Sequence, residues 1–195
     1  MINNFKDLGI KTDFINTLSQ LNINNPTKIQ EQSIPFLLNK EADLVALAQT
    51  GTGKTLAFGL PILQKIATRE LGQQISNELT SFASHNSNIK IASLFGGATI
   101  KSQKEALAQH PQIVVATPGR LLDLLDRHII DSMTIKLLII DEADEILSLG
   151  FKEQIYNIMK YIKPEAQICI FSATYNDKVI ELTSKFMTEP YKILV

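Results

Sequence analysis

The sequence has few of the residues that mark disulfide-bonded or metal-binding proteins. It contains one cysteine, Cys169, and three scattered histidines, His85, His110 and His128. Cys169 lies in the apolar run 168–171, which predicts a buried thiol in a strand rather than a nucleophile or a metal ligand. The histidines lack the spacing of metal ligands, so we expect them on the surface or in loops.

The sequence also lacks a signal peptide, a membrane span and a strong net charge. Residues 1–7 do not have the charged-then-apolar layout of a leader, and no apolar run approaches the length of a membrane span. We therefore expect a cytoplasmic protein with no membrane partner. The formal net charge is −1, so any surface for nucleic acid must be local. With 195 residues, of which 45% are hydrophobic, one globular domain is expected.

Short apolar runs alternate with segments of helical periodicity along the chain. The spacing predicts helices over 11–22 and 27–39. Six apolar runs predict strands, at 44–48, 89–94, 113–116, 137–140, 168–171 and 192–195. This alternation predicts an α/β fold with a mostly parallel sheet covered by helices on both faces. In such sheets the ligand-binding residues cluster in loops after the carboxyl ends of the strands.

A glycine-rich loop follows the first predicted strand. Residues 48–55 read Ala-Gln-Thr-Gly-Thr-Gly-Lys-Thr. In such a loop the backbone N–H groups cradle a phosphate at a helix N-terminus. Gly51 and Gly53 suit the backbone angles, Lys54 can reach the terminal phosphates, and the Thr55 hydroxyl can bind Mg²⁺. The general pattern has glycine at position 48 instead of Ala48, which leaves an accidental glycine-rich turn as the alternative.

Two adjacent carboxylates, Asp141 and Glu142, follow the apolar run 137–140. Mg²⁺ and a water nucleophile would explain them. Asp141 would help hold the ion that Thr55 contacts, and Glu142 would orient or deprotonate the water. The alternative is a solvated acidic helix start. The phosphate loop favours the first interpretation, because both halves of a nucleotide site are then present.

Three other strand ends carry small or phosphate-binding residues. Ser172-Ala173-Thr174 could hydrogen-bond the acidic cluster and sense the γ-phosphate. Thr117-Pro118-Gly119-Arg120 offers backbone amides and an arginine to a phosphate, and Gly96-Gly97 allows another backbone to approach. Each of the three, taken alone, is also typical of a helix cap or a turn.

Together the motifs resemble the first RecA-like domain of the DEAD-box ATP-dependent RNA helicases, over nearly the whole chain. Seven motifs occur in the family's order: Pro26-Thr27-Lys28-Ile29-Gln30, Ala48 to Thr55, Thr68-Arg69-Glu70-Leu71, Gly96-Gly97, Thr117-Pro118-Gly119-Arg120, Asp141 to Asp144 and Ser172-Ala173-Thr174. The resemblance implies one RecA-like P-loop NTPase domain over 1–195, with the adenine-reading region at about 1–40. It further implies ATP and Mg²⁺ as cofactors, RNA as a partner, and a monomer.

The resemblance also assigns roles to individual residues. Gln30 would read the adenine edge, for which an amide is suitable because it both donates and accepts, and Phe5 would pack on the base. The phosphate loop would supply Gln49, Thr50, Gly51, Thr52, Gly53, Lys54 and Thr55. The catalytic residues would be Lys54, Asp141 and Glu142. The RNA backbone would contact Arg69, Gly97, Thr117, Gly119 and Arg120. Asp144, Ser172 and Thr174 would couple the nucleotide state to RNA.

By the same resemblance, a second RecA-like domain lies beyond this sequence and carries an arginine finger. We therefore expect the chain alone to bind ATP or ADP, to hydrolyse ATP poorly and to unwind nothing. Two other functions stay open. One is a non-catalytic, ATP-dependent RNA clamp or scaffold. The other is a P-loop GTPase or kinase, although residues 39–43 have the wrong spacing for guanine reading and Gln30 favours adenine.

The largest departure from the family lies after the phosphate loop. A helix of about twelve residues carries the chain roughly 18 Å away from that loop, and no strand returns before Thr68 and Arg69. These two residues should share the ligand-facing edge with Lys54. We therefore expect either that residues are missing between Ile66 and Ala67 or that a real deletion has altered the RNA-facing edge.

Overall fold

The computed structural model describes residues 4–69 and 89–195. Two helices, α1 and α2, precede the first strand, as the periodicity predicts. The helices are α1 (Thr12–Gln20), α2 (Lys28–Asn39), α3 (Lys54–Arg69), α4 (Ile100–Leu107), α5 (Pro118–Asp126), α6 (Ala143–Ser148), α7 (Lys152–Tyr161) and α8 (Asp177–Phe186). A 3₁₀ turn covers Ser132–Thr134. None of the helices in 4–69 and 89–195 is long and apolar enough to cross a membrane.

Every predicted strand forms, within two residues of its expected bounds. The strands are β1 (Leu44–Leu47), β2 (Ile91–Leu94), β3 (Ile113–Ala116), β4 (Leu137–Ile140), β5 (Gln167–Ser172) and β6 (Tyr191–Leu194). All pairings are parallel, in the order β4-β5-β1-β6 for one sheet and β2-β3 for the other. The prediction of a parallel sheet is thus confirmed, with the difference that the described strands form two sheets.

Helices cover both faces of the four-stranded sheet, as alternating side chains show. Leu44 and Ala46 of β1 and Phe171 of β5 pack in one cluster with α2 and α3. Val45 and Ile170 point the other way, into a cluster formed with α5 to α8. Strands that are apolar on both faces require two helical layers to remove them from water, and the sequence supplies both.

Cys169 lies in the middle of β5 and is fully buried. Burial raises the pKa of its thiol to about 12, with a smaller contribution from the Asp43 carboxylate. The thiol therefore stays protonated at neutral pH, and the prediction of a buried strand cysteine is confirmed. His110 and His128 are exposed and follow helix ends, also as predicted, whereas His85 lies outside the described residues.

Helix α3 runs unbroken across Ile66 and Ala67 and ends at Arg69. The two expectations for this junction, missing residues or a real deletion, both stay predictions. Arg69 lies fifteen residues after Lys54, which places it roughly 22 Å away along the helix axis. The chain continues as helix where a returning strand was required, so the expectation that Arg69 shares an edge with Lys54 stays a prediction. Glu70 and Leu71 lie outside the described residues.

Candidate functional site at the carboxyl edge of the sheet

The phosphate loop joins the end of β1 to the start of α3. Leu47 of β1 aligns with Ser172 of β5, and the Ala48 amide donates to the Ser172 carbonyl at 3.0 Å. Gly51 and Gly53 have φ of +81° and +86°, a region that residues with a Cβ rarely adopt. Ala48 does not have a positive φ and its methyl group is buried with β1 and β5. Position 48 therefore does not need the glycine that the general pattern has there.

The segment at the start of α2 braces this loop from the side. The Thr27 hydroxyl donates to the Thr52 carbonyl at 2.8 Å. Gln30 Nε2 donates to the Gly53 carbonyl at 3.0 Å, and Gln30 Oε1 accepts from the Thr27 amide at 3.0 Å. Gln30 is 2% exposed. Each polar atom of its amide thus has one partner within the chain, and the amide retains one further N–H donor and one further lone pair.

Replacement of Gly53 by alanine should destabilise the domain more than replacement of Gly51. Both changes place a Cβ on a positive φ, which costs about 1–2 kcal/mol. A Cβ at Gly53 would also collide with Gln30 Nε2 and lie 3.3 Å from its Cδ, whereas one at Gly51 meets nothing within 4 Å. Overpacking of this kind adds about 1–3 kcal/mol. Urea unfolding of Gly53→Ala and Gly51→Ala measures the difference, and equal losses would show that Gln30 does not brace the loop.

Lys54 links the phosphate loop to the acidic turn after β4. It is 4% exposed, and its Nζ donates to the Ala48 carbonyl and to Glu142 Oε2, each at 3.0 Å. Glu142 itself has φ of +49° and ψ of +48°, and its amide donates to Asp141 Oδ1 at 3.0 Å. A non-glycine residue in the left-handed region is uncommon and is often found at functional sites. The turn thus joins the two halves of the predicted nucleotide site.

The two predicted Mg²⁺ ligands are the residues next to the bonded pair Lys54 and Glu142. Thr55 follows Lys54 in α3, and Asp141 precedes Glu142 at the end of β4. A hydroxyl and a carboxylate are the hard oxygen donors that Mg²⁺ prefers, usually with waters and substrate phosphates in its other positions. No group of three or more His, Cys, Asp or Glu residues in 4–69 and 89–195 could hold a metal alone. This donor set fits an ion shared with a nucleotide.

Asp144, Ser172 and Thr174 form one hydrogen-bonded group, as the sequence suggested. Asp144 Oδ2 accepts from the Thr174 amide at 2.9 Å and from the Thr174 hydroxyl at 2.8 Å. The Asp144 amide donates to Ser172 Oγ at 3.2 Å. Burial raises the pKa of Asp144, but hydrogen bonds from Thr174, Ser172 and the backbone outweigh it, so the pKa lies below 3.8. The ionised carboxylate therefore ties the start of α6 to the end of β5.

Four of the five predicted RNA contacts lie together beyond β2 and β3. Leu94 aligns with Ala116, and the Thr117 amide donates to the Leu94 carbonyl at 3.3 Å. Arg120 Nη1 and Nη2 both donate to the Ala98 carbonyl at 3.2 Å. These bonds bring the following four residues to one surface: Gly97, Thr117, Gly119 and Arg120. The fifth, Arg69, is not brought there, since it ends α3.

Phe5 does not lie where the resemblance places it. Its side chain is 2% exposed and packs in a cluster with residues of α1 and α3, among them Phe14 and Leu60. A ring that stacks on a base needs one open face, and this ring has none. The sequence could not show this, because an aromatic residue before a helix suits the core as well as a ligand.

Parallel strands, a braced phosphate loop and an acidic turn at one edge define this chain as an α/β P-loop domain. The model of the family described as DEAD/DEAH box helicase matches residues 27–182. The chain belongs to this family, and the RecA-like fold expected from the resemblance is confirmed by the solved structures below.

Relatives and solved structures agree with this assignment. The chain is 40% identical to the ATP-dependent RNA helicase DeaD of Escherichia coli K12, over 98% of the chain and 32% of the relative. It is 40% identical to the ATP-dependent RNA helicase eIF4A of Kluyveromyces lactis, over all of the chain and 52% of the relative. A DEAD box protein of Methanococcus jannaschii matches with a TM-score of 0.90 at 33% identity, over 98% of this chain and 55% of the other.

The chain thus spans about a third to a half of the length of the curated relatives it matches. The alignment with the Kluyveromyces lactis protein runs over 209 residues, although the chain has 195. This chain is therefore shorter than that relative within the matched region. The difference agrees in kind with the shortening that the sequence indicates between Ile66 and Ala67.

Proposed function

We propose that this chain is the nucleotide-binding half of an ATP-dependent RNA helicase, in which ATP hydrolysis is coupled to RNA binding and duplex unwinding. The observation that most supports this proposal is the Lys54–Glu142 pair, which joins the phosphate loop to the acidic turn at the carboxyl edge of the sheet. The relatives named as ATP-dependent RNA helicases support the same reading. We also propose a cytoplasmic monomer.

In this proposal the chain's own residues position ATP for attack by water. Backbone N–H groups of Gln49 to Gly53 hold the β- and γ-phosphates at the start of α3, together with Lys54. Thr55 and Asp141 would hold Mg²⁺, which supplies charge neutralisation on the phosphates when bound. Glu142 orients the water and accepts its proton at a carboxylate oxygen. Gln30 contacts the adenine through its side-chain amide.

Two further groups of residues extend the nucleotide site toward RNA. Asp144, Ser172 and Thr174 couple the acidic turn to the loop after β5, since a shift of one moves the others through their hydrogen bonds. The surface of Gly97, Thr117, Gly119 and Arg120 contacts the RNA backbone. A second RecA-like domain completes both sites, so the chain alone is expected to bind nucleotide and to turn it over slowly.

The experiment that tests the proposal is steady-state ATPase activity of the full-length protein with and without RNA. RNA should stimulate hydrolysis, ATP should bind more tightly than GTP, and a tailed RNA duplex should be unwound only with ATP. ATP-dependent RNA binding without turnover would identify a clamp instead, and a preference for GTP would identify the GTPase class.

A further inference from the structure

The loop after β5, residues 173–176, is attached to its surroundings on two sides. On one side the amide and the hydroxyl of Thr174 both donate to Asp144 Oδ2, so the loop follows the start of α6. On the other side the half-buried ring of Tyr175 packs against the apolar cluster that contains Val179 and Leu182 of α8. The loop therefore bridges the acidic turn and α8, and Tyr175 anchors it on the side away from Asp144.

The hydroxyl and the ring of Tyr175 have separate partners. The hydroxyl oxygens of Tyr175 and Thr183 lie 3.3 Å apart and share a hydrogen bond, and Thr183 is buried on α8. Lys192 Nζ lies over the ring of Tyr175, 5.3 Å from its centroid. Lys192 belongs to β6, where it aligns with Val45 of β1. Because a cation is attracted by the face of an aromatic ring with or without a hydroxyl, mutations can separate the two contacts.

The bonds of Thr174 are sensitive to small shifts of the loop. Its amide and its hydroxyl donate to the same carboxylate oxygen, at 2.9 and 2.8 Å, and hydrogen bonds weaken steeply when their angles change. Neighbouring Cα atoms are held about 3.8 Å apart by the peptide bond. A ring that fixes Tyr175 therefore also restricts where Thr174 can lie. None of the contacts of Tyr175 described above reaches the phosphate loop.

We infer that Tyr175 is a positioning residue, which holds Thr174 in the geometry that binds Asp144 by packing its own ring against Lys192 and the cluster under α8. The inference rests on the proposed function and deepens it, because Asp144, Ser172 and Thr174 are the residues proposed to couple the nucleotide to RNA. ATP is held by the phosphate loop and Lys54 in that proposal. Tyr175 therefore affects the response of hydrolysis to RNA and leaves the affinity for ATP unchanged.

The test is the ATPase activity of the full-length Tyr175→Leu variant with and without RNA. Leucine keeps an apolar side chain but removes the ring and the hydroxyl. Loss of the contact between ring and cation should lower the ratio of RNA-stimulated to basal turnover about 2- to 30-fold, with the KM for ATP unchanged. Tyr175→Phe should retain most of the ratio, whereas Lys192→Gln should lower it. A purely structural role would reduce the amount of active protein, which scales both rates equally and leaves the ratio unchanged.

Tyr156→Leu is the matched control. Tyr156 is also half-buried and packs against the same cluster, with Lys185 Nζ 4.7 Å from its ring centroid. It lies on α7, outside the loop that carries Thr174, so its ratio of turnovers should equal that of the wild type. An equal fall in Tyr156→Leu would indicate a general loosening of the cluster and overturn the inference. An unchanged ratio in Tyr175→Leu would overturn it as well.

Hydrogen exchange tests the positioning of Thr174 independently of activity. The Thr174 amide is protected by its bond to Asp144, so in full-length Tyr175→Leu it should exchange about 2- to 30-fold faster, and in Tyr156→Leu at the wild-type rate. Mass spectrometry of the peptide that contains Thr174 measures this. Unchanged exchange in Tyr175→Leu contradicts the inference whatever the ATPase assay gives. Faster exchange in a protein that RNA does not stimulate would instead overturn the proposed function and leave the positioning of Thr174 established.

Discussion

Lys54→Ala should abolish detectable ATP binding. The Nζ group is the buried cation at the start of α3, within hydrogen-bond distance of the Ala48 carbonyl and the Glu142 carboxylate. Its removal takes away the charge that attracts the phosphates and leaves Glu142 without its counter-ion. The Glu142 carboxylate and the phosphates of ATP then repel each other. Each hydrogen bond to a charged group contributes about 1.5–3 kcal/mol, so a loss of two or more contacts weakens affinity by on the order of 100-fold or more.

Isothermal titration with ATP and Mg²⁺ measures this effect. Lys40→Ala is the matched control, because Lys40 is exposed at the end of α2. It precedes β1 and therefore lies at the opposite end of that strand from the phosphate loop. Circular dichroism of both variants establishes that they are folded. If Lys54→Ala bound ATP within a few-fold of the wild type, the loop would not be the phosphate site.

The strands and the nucleotide-binding loops could be predicted because both depend on local sequence. Buried parallel strands are continuous apolar runs, and six such runs correspond to β1 to β6. Since the carboxyl ends of parallel strands lie along one edge, the loops after β1, β4 and β5 had to meet. The contacts of Lys54 with Glu142 and of Asp144 with Thr174 confirm that meeting.

The remaining features depend on contacts between distant segments. Phe5 stands between polar residues yet is buried against α1 and α3, whereas Phe95 follows a buried strand yet is exposed, because burial is decided by contacts with distant segments. The bonds from Gln30 to Gly53 and from Thr27 to Thr52 join residues more than twenty positions apart. The Thr27-x-x-Gln30 spacing is typical of a capping box, so the bond between Thr27 and Gln30 could be predicted from the sequence. The contacts of these two residues with the phosphate loop could not.

The two braces of the phosphate loop differ in kind. Gln30 and Thr27 hold carbonyl groups of the loop from α2, so they fix its shape with neutral hydrogen bonds. Glu142 instead holds the charged group of Lys54, and a phosphate competes with it for the same ammonium. In the proposed function a nucleotide would therefore displace or share the Glu142 contact, and we expect the bonds of Asp144 to carry a shift of the acidic turn to the loop that contains Thr174.

Glu142→Gln should block hydrolysis while preserving ATP binding. Glutamine keeps the shape and the hydrogen-bonding oxygen of the side chain but cannot accept a proton from water, and loss of a general base lowers turnover by about 10²- to 10⁴-fold. The same change removes a negative charge that competes with phosphate for Lys54. ATP should therefore bind at least as tightly as in the wild type, an outcome that separates Glu142 from Lys54, whose removal weakens binding.

The measurement is RNA-stimulated turnover of the full-length protein together with ATP affinity, and Glu145→Gln is the matched control. Glu145 lies one turn along α6 and is exposed, so its neutralisation changes the net charge equally without touching Lys54. Wild-type turnover in Glu142→Gln would remove Glu142 from the role of base. Weaker ATP binding in that variant would instead mean that the Lys54–Glu142 pair holds the phosphate loop open for the nucleotide, and that Glu142 supports binding rather than competing with it.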